Sequence, residues 1–214
     1  AIDYVTEYWN VDENRIHLSG HSMGGGGTLI LIARFPDKFA SGRSWAGFND
    51  DLPLGNMTKV PLYLLHSDDD WLVPVTMERE AMHRLSSIGA KVIWDMTHGD
   101  GHAVNFNAAA NSRSLAWVKR QSQTTPVSNI QFTAMDGLSK GAWWASILEW
   151  GPKRSYPTFN LSLGNENTLY LKFDNVAALS LDINSSPIDR NKPLNIFLNG
   201  LAIGTIQSPI PDRL

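Results

Sequence analysis

A parallel α/β sheet with flanking helices, followed by a small all-β domain, is the fold class this sequence predicts. Between residues 2 and 120, short apolar runs alternate with segments of helical period, the signature of a parallel sheet covered by helices. Residues 121–128 turn to Gln, Ser, Thr and Pro, a linker composition. Beyond them helical periodicity vanishes and short strand-type runs follow one another, broken by Gly, Asn, Asp and Pro. The expected organisation is residues 1–120, a linker at 121–128, and an all-β, sandwich-like accessory domain at 129–214.

In chain order, Ile2, Val5 and Trp9 stand at helical spacing, predicting the end of an amphipathic helix over residues 2–9. Residues 16–18 read as a strand, and residues 28–33 are apolar on all sides, as in a helix buried against a sheet. Pro36 closes that helix, because proline cannot continue the hydrogen-bond ladder. Residues 41–47 read as a short strand and 48–59 as a loop on the same side as Ser22. The continuous apolar run 60–66 is that of a central strand buried on both faces. Pro74 suits a first helical turn, and Val75, Ala81, Met82 and Leu85 continue the helix to Gly89, a C-cap residue. A strand at 91–95, a loop at 96–102 and a helix over 103–120 complete the first domain.

In the β domain, Leu169, Leu171 and Phe173 share one strand face, as do Leu179, Leu181 and Ile183. Asn199-Gly200 between two strand runs is a strong hairpin signal.

Composition narrows the function. A net charge of -3 with scattered Lys and Arg gives no basic field, so no nucleic-acid partner is expected. No apolar run approaches the ~20 residues of a membrane span, so no membrane partner is expected either. Zero cysteines remove disulfides and thiol chemistry. The chain starts at Ala1 without a signal peptide and is expected to be a fragment, with any targeting segment upstream.

Gly20-His21-Ser22-Met23-Gly24 stands between a strand and a helix. A serine flanked by glycines two residues away on each side, in that context, is the nucleophile-elbow pattern. The glycines are expected to be needed because the turn is tight, and the following helix start offers backbone N–H groups to a developing oxyanion. A serine nucleophile needs a base, and the base needs an orienting acid. Asp68, Asp69 and Asp70 follow one predicted strand, and His98 and His102 follow the next. Loops at the carboxyl ends of parallel strands open on one edge, so these groups can meet Ser22 there.

The segment Asn14-Arg-Ile-His-Leu-Ser-Gly-His-Ser-Met-Gly-Gly, with Arg34-Phe-Pro-Asp-Lys-Phe39 downstream, resembles the prolyl oligopeptidase and carboxylesterase-like branch of the α/β-hydrolase superfamily. The resemblance covers residues 1–120 and implies a partial α/β-hydrolase sheet. Aligned on Val73-Pro74, it places the acid on Asp70 and the base on His102, which follows Gly101. It implies one oxyanion-hole donor in the backbone N–H of Met23 and puts the other in strands that would precede Ala1, so the chain alone is expected to be weak or inactive. His21 and Trp71 are the expected substrate-binding residues. The β domain resembles domains appended to secreted bacterial esterases or peptidases, which implies a secreted or periplasmic location and a carbohydrate contact.

The resulting expectation is a serine hydrolase that cleaves small or polymer-linked carboxylic esters by acyl transfer through Ser22, His102 and Asp70, with no cofactor and no metal. A prolyl oligopeptidase-like peptidase and an inactive pseudo-hydrolase with a binding β domain are the alternatives. Asp68 and Asp69 compete with Asp70, and His98 with His102. His17 reads as a core or surface histidine. Trp45, Phe48 and Trp71 are candidates for an acyl pocket or for core. A metal reading would gather His66, Asp68, Asp70, His98 and His102, but it explains neither the elbow nor the residue order.

Overall fold

The computed structural model describes residues 2–47, 51–123 and 125–214. It divides into two compact units, residues 1–123 and 124–214. In the first, a helix α1 (Ile2–Tyr8) precedes strand β1 (His17–His21), helix α2 (Met23–Arg34), strand β2 (Ser41–Trp45), strand β3 (Leu62–Ser67), helix α3 (Val75–Ser87), strand β4 (Val92–Thr97) and helix α4 (Ala108–Val118). The four strands lie in the order β1-β2-β3-β4, all parallel. Every residue of β3 is buried, as its unbroken apolar run requires.

Side chains of β3 alternate between two cores. Tyr63 and Leu65 meet Trp117 and Val118 of α4, with the Tyr63 and Trp117 rings 5.4 Å apart. Helices α2 and α3 pack on the strands as well, α2 on β1 and β2, α3 on β3 and β4. Leu29, Ile32 and Leu85 from these helices are buried.

Three local readings need correction. Gly24 to Gly27 belong to α2, which starts five residues before the apolar run that predicts it. The steric demand falls on Gly20 and Gly25 rather than on Gly20 and Gly24. A Cβ on Gly20 would lie 2.0 Å from the Gly24 carbonyl oxygen, and one on Gly25 2.9 Å from the Ser44 hydroxyl, whereas one on Gly24 meets nothing within 4 Å. The expected helix over 103–120 is broken, because a short 3-10 stretch (Gly101–Phe106) ends at Asn107. Asn107 then caps α4 by accepting the Ala110 N–H at 3.0 Å. The helix α1 forms, but none of its residues is buried, so its apolar side is not covered among the described residues.

The second unit holds two sheets. Strands β5 (Asn129–Thr133), β8 (Thr158–Gly164), β9 (Thr168–Asp174), β11 (Leu194–Leu198) and β12 (Leu201–Ile206) form one, in the order β12-β11-β9-β8-β5. Strands β6 (Gly141–Ala142), β7 (Ala145–Trp150) and β10 (Val176–Leu181) form the other. Phe132, Phe159 and Leu169 from the first share one core with Ala145, Ile147 and Leu181 from the second, which makes the unit a sandwich. Trp144 is 1% exposed in that core, and its indole N–H donates to the Val127 carbonyl at 2.7 Å. Asn199 and Gly200 join β11 to β12 with φ of 50° and 86°. Two positive φ values in a two-residue loop are those of a type I′ hairpin turn.

Candidate active site

Strand β1 ends at His21, and the chain turns at Ser22 straight into α2. Ser22 has φ 58° and ψ -119°, a region L residues rarely occupy and whose cost is ~1–3 kcal/mol. The turn is held where the Ser22 N–H donates to the Trp45 carbonyl at 2.8 Å and the Gly26 N–H to the Ser22 carbonyl at 3.1 Å. Met23 is the first residue of α2 and is 81% exposed. The first amides of an α-helix have no acceptor within the helix and carry its positive dipole end.

The loops after β3 and β4 bring two side chains to Ser22. His102 Nε2 stands 2.8 Å from Ser22 Oγ, and His102 Nδ1 stands 2.8 Å from Asp70 Oδ2. The other oxygen of Asp70 accepts the N–H groups of Leu72 and Val73, both at 2.9 Å. Burial of Asp70 works to raise its carboxyl, but the Val73 N–H, His102 and the Leu72 N–H outweigh it and hold the group below its ordinary value. Asp70 therefore stays ionised where it faces Nδ1, which fixes the imidazole with Nε2 free to accept from Ser22.

The neighbouring aspartates take other partners. Asp69 accepts the N–H groups of Gly99 and Gly101, each at 3.1 Å, and the Ser67 hydroxyl, tying the two loops together. Asp68 pairs with His98 at 2.8 Å on the surface, and that contact raises the His98 imidazole. Asp70 and His102 are thus brought to Ser22, while Asp68, Asp69 and His98 are not. Of the five residues of the metal reading, Asp68 and His98 pair on the surface, while His66 and His102 both face Asp70.

His21 Nε2 bonds to the His102 carbonyl oxygen at 2.7 Å, and the two rings lie 4.9 Å apart. Trp71 is 80% exposed, and its indole edge lies 3.9 Å from the Cβ position of Gly101. The Trp45 ring packs in the α4 core under the Arg43 guanidinium, 4.6 Å from its centroid, so Trp45 is core rather than pocket. Phe48 lies outside the described residues. His17 is half-buried and bonds to Ser41 at 2.9 Å; burial, then Arg15 and Arg43, lower its imidazole.

Sequence reasoning missed a buried group next to Asp70. His66 and Glu78 are both 0% exposed and bonded at 2.7 Å. Their sequence signal is Glu78 itself, which falls on the stripe of Ala81 and Leu85 where an apolar residue is expected.

The Esterase family model matches residues 2–149. The chain belongs to the Esterase family. Among curated relatives, Cutinase est1 of Thermobifida alba is 29% identical over 120 residues, 51% of this chain and 37% of that protein. Acetylxylan esterase of Coprinopsis cinerea is 40% identical over 47 residues, 22% of this chain and 13% of that protein. A solved thermostable esterase superposes with a TM-score of 0.54 at 31% identity, over 57% of this chain and 35% of that one. The chain thus spans well under two thirds of the length of these relatives. An α/β-hydrolase sheet followed by a β domain is the architecture of this Esterase family member.

Proposed function

We propose that this chain carries the acyl-transfer site of a serine esterase, with Ser22 as nucleophile, His102 as general base and acid, and Asp70 as the orienting carboxylate. The observation that carries the reading is the pair of 2.8 Å contacts from the two nitrogens of one imidazole, to Ser22 and to Asp70. Ser22 Oγ attacks the ester carbonyl carbon while its proton passes to His102 Nε2. The Met23 N–H, at the start of α2, donates to the oxyanion that forms. The imidazolium returns its proton to the leaving alcohol, and a water activated by the same nitrogen releases the acid and frees Ser22. Asp70 stabilises the imidazolium throughout without taking its proton.

Esters rather than amides are supported by membership of the Esterase family and by relatives named cutinase and acetylxylan esterase. Those names point to esters borne on polymers, which an enzyme would meet outside the cell. Exposed Met23, next to Ser22 in the chain, and exposed Trp71, next to Asp70, suit such a substrate as an open wall, with His21 bonded to the His102 carbonyl. A carbohydrate contact through the β domain is supported by Trp150 and Tyr156, 40% and 60% exposed with their rings 6.5 Å apart.

A fluorophosphonate probe tests the nucleophile: Ser22 becomes labelled, and Ser22→Ala is not. Labelling that persists in Ser22→Ala overturns the assignment. Hydrolysis of p-nitrophenyl acetate set against a prolyl amide tests the ester preference, and a faster amide reverses it. Retention on insoluble xylan that is unchanged in a Trp150→Ala, Tyr156→Ala double variant removes the carbohydrate contact.

A further inference from the structure

Three buried side chains that the acyl transfer does not use lie in a line ending at Asp70. Ser44 of β2 donates to Glu78 Oε1 at 2.7 Å, and the Gly47 N–H donates to the same carboxylate. Glu78 Oε2 faces His66 Nδ1 at 2.7 Å. His66 Nε2 then faces the Val73 carbonyl oxygen at 2.9 Å and Asp70 Oδ2 at 3.3 Å. Ser44, His66 and Glu78 are each 0% exposed. The line starts at the first turn of α2, where Ser44 Oγ is one of three atoms 2.9 Å from where a Gly25 Cβ would stand.

We propose that His66 and Glu78 are positioning residues for the esterase: a buried imidazolium–carboxylate pair that holds the Asp70 carboxylate toward His102. The proposal rests on the assignment of Ser22, His102 and Asp70 above. Its geometric basis is that one imidazole grips both ends of the turn 70–73. Asp70 Oδ1 takes the Val73 N–H, and the Val73 carbonyl takes His66. Asp70 Oδ2 then lies between two imidazoles, His102 at 2.8 Å and His66 at 3.3 Å.

Counting protons fixes the charge. His66 Nε2 must donate, since it faces only oxygens that accept. Glu78 Oε1 accepts from Ser44 and Oε2 faces His66, so a single proton is shared between Nδ1 and Oε2. Burial raises the Glu78 carboxyl, which favours leaving that proton on Glu78. Burial also works to lower His66, but the Glu78 bond and charge, the Val73 carbonyl and the Asp70 charge outweigh it and raise His66. The second carboxylate beside Nε2 decides between the two: Asp70 attracts a cation at His66 whether or not Glu78 is ionised.

Glu78→Gln isolates the charge. The Gln side-chain oxygen keeps the Ser44 bond, its amide donates to Nδ1, and Nε2–H keeps the Val73 carbonyl. The bonds from Ser44 to position 78, from position 78 to His66 and from His66 to Val73 survive, and the ion pair is lost. Nitrogen-15 NMR of the whole chain at pH 7 is expected to show His66 protonated on both nitrogens, and neutral in Glu78→Gln. The His102 Nδ1 proton, assigned by its loss in His102→Ala, is expected to exchange with water about tenfold faster in Glu78→Gln, and fluorophosphonate labelling to slow by about tenfold. A neutral His66 in the unmodified chain overturns the proposal, as does a folded Glu78→Gln whose His102 exchange and labelling are unchanged. If Glu78→Gln does not fold, Ser44→Ala takes its place, with labelling slowed about threefold for one lost bond; an unchanged rate overturns the proposal. A chain that shows the expected His66 and His102 signals but is never labelled at Ser22 refutes the nucleophile and leaves the positioning of Asp70 standing.

Discussion

The two units bury polar groups of different kinds. In residues 1–123, Arg43, His66, Asp70 and Glu78 are all buried and all ionisable. In residues 124–214 the buried polar side chains among the described residues are Ser139, Asn167, Thr168 and Asn175, none of which titrates. The asparagines there close turns. Asn167 donates to the Asp189 carbonyl at 2.9 Å and accepts the Asp189 N–H at 3.0 Å, while Asn175 accepts the Lys153 N–H at 2.9 Å. A neutral amide satisfies a buried turn at little cost, whereas a buried charge is tolerated only when paired and bonded. The sandwich therefore uses its interior polarity to fix loops, whereas in the parallel unit Glu78, His66 and Asp70 bond in a line that ends at His102.

The largest test of that contrast removes one charge from the parallel unit. Asp70→Asn keeps the shape of the turn but takes the negative charge from His102 Nδ1, and kcat for the proposed ester hydrolysis is expected to fall by about 10⁴. Stability should change with pH in the same variant. The folded-state carboxyl of Asp70 lies below its ordinary value, so the folded state binds fewer protons than the unfolded chain in acid. Its contribution is fully present above the ordinary carboxylate range and is lost as pH falls through the folded value. Thermal unfolding followed from pH 7 to pH 3 is expected to lose less stability in Asp70→Asn than in the unmodified chain. Equal losses would show that Asp70 is not held as an ion.

The sandwich should answer to packing instead. Trp144→Ala empties a large site that is 1% exposed and leaves the Val127 carbonyl without its donor. The expected loss is ~3–5 kcal/mol in the unfolding of residues 124–214, read by denaturant titration, with the labelling rate of Ser22 unchanged. A fall in labelling of the same proportion would mean that the units do not unfold independently.

How much of this was legible in the sequence follows the same division. The elbow pattern was visible because its glycines and serine are one short local pattern; the strand ends offered three aspartates and two histidines, and only the family resemblance, through Val73-Pro74 and Gly101, pointed to Asp70 and His102. The starting point of α2 was not, since four glycines look like a loop, and only contact with β2 makes Gly25 obligatory. The break at Asn107 was hidden by apolar spacing that runs straight through it. The His66–Glu78 pair was hidden for a deeper reason: the two residues stand twelve apart in the chain, and Glu78 shows itself only as a misplaced charge on an apolar face. The hairpin at Asn199-Gly200 was fully legible, because its two backbone conformations are demanded by the turn and supplied by those two residue types.

A smaller effect is expected from Asp69, which joins the loop of Asp70 to the loop of His102 from the surface. Asp69→Ala frees the N–H groups of Gly99 and Gly101. His102 then loses part of what places it, although Asp70 and His21 still hold it. Misplacement on the ångström scale costs up to about 10² in rate, and the loss should appear in kcat with KM unchanged. A rise in KM alone would move Asp69 from positioning His102 to contacting the substrate.

The smallest effect separates backbone conformation from packing. Gly200 has φ 86°, and a Cβ there would meet nothing within 4 Å. Gly200→Ala therefore carries only the cost of holding an L residue in the left-handed region, ~1 kcal/mol, and the denaturant midpoint of residues 124–214 should shift by that amount. Gly20→Ala meets the opposite situation. Its Cβ would strike the Gly24 carbonyl at 2.0 Å, so α2 must move, and Ser22 labelling should fall even where stability changes little. If Gly200→Ala proved as damaging as Trp144→Ala, the hairpin would be part of what holds the sandwich together. A shift near 1 kcal/mol leaves that role to the core around Trp144.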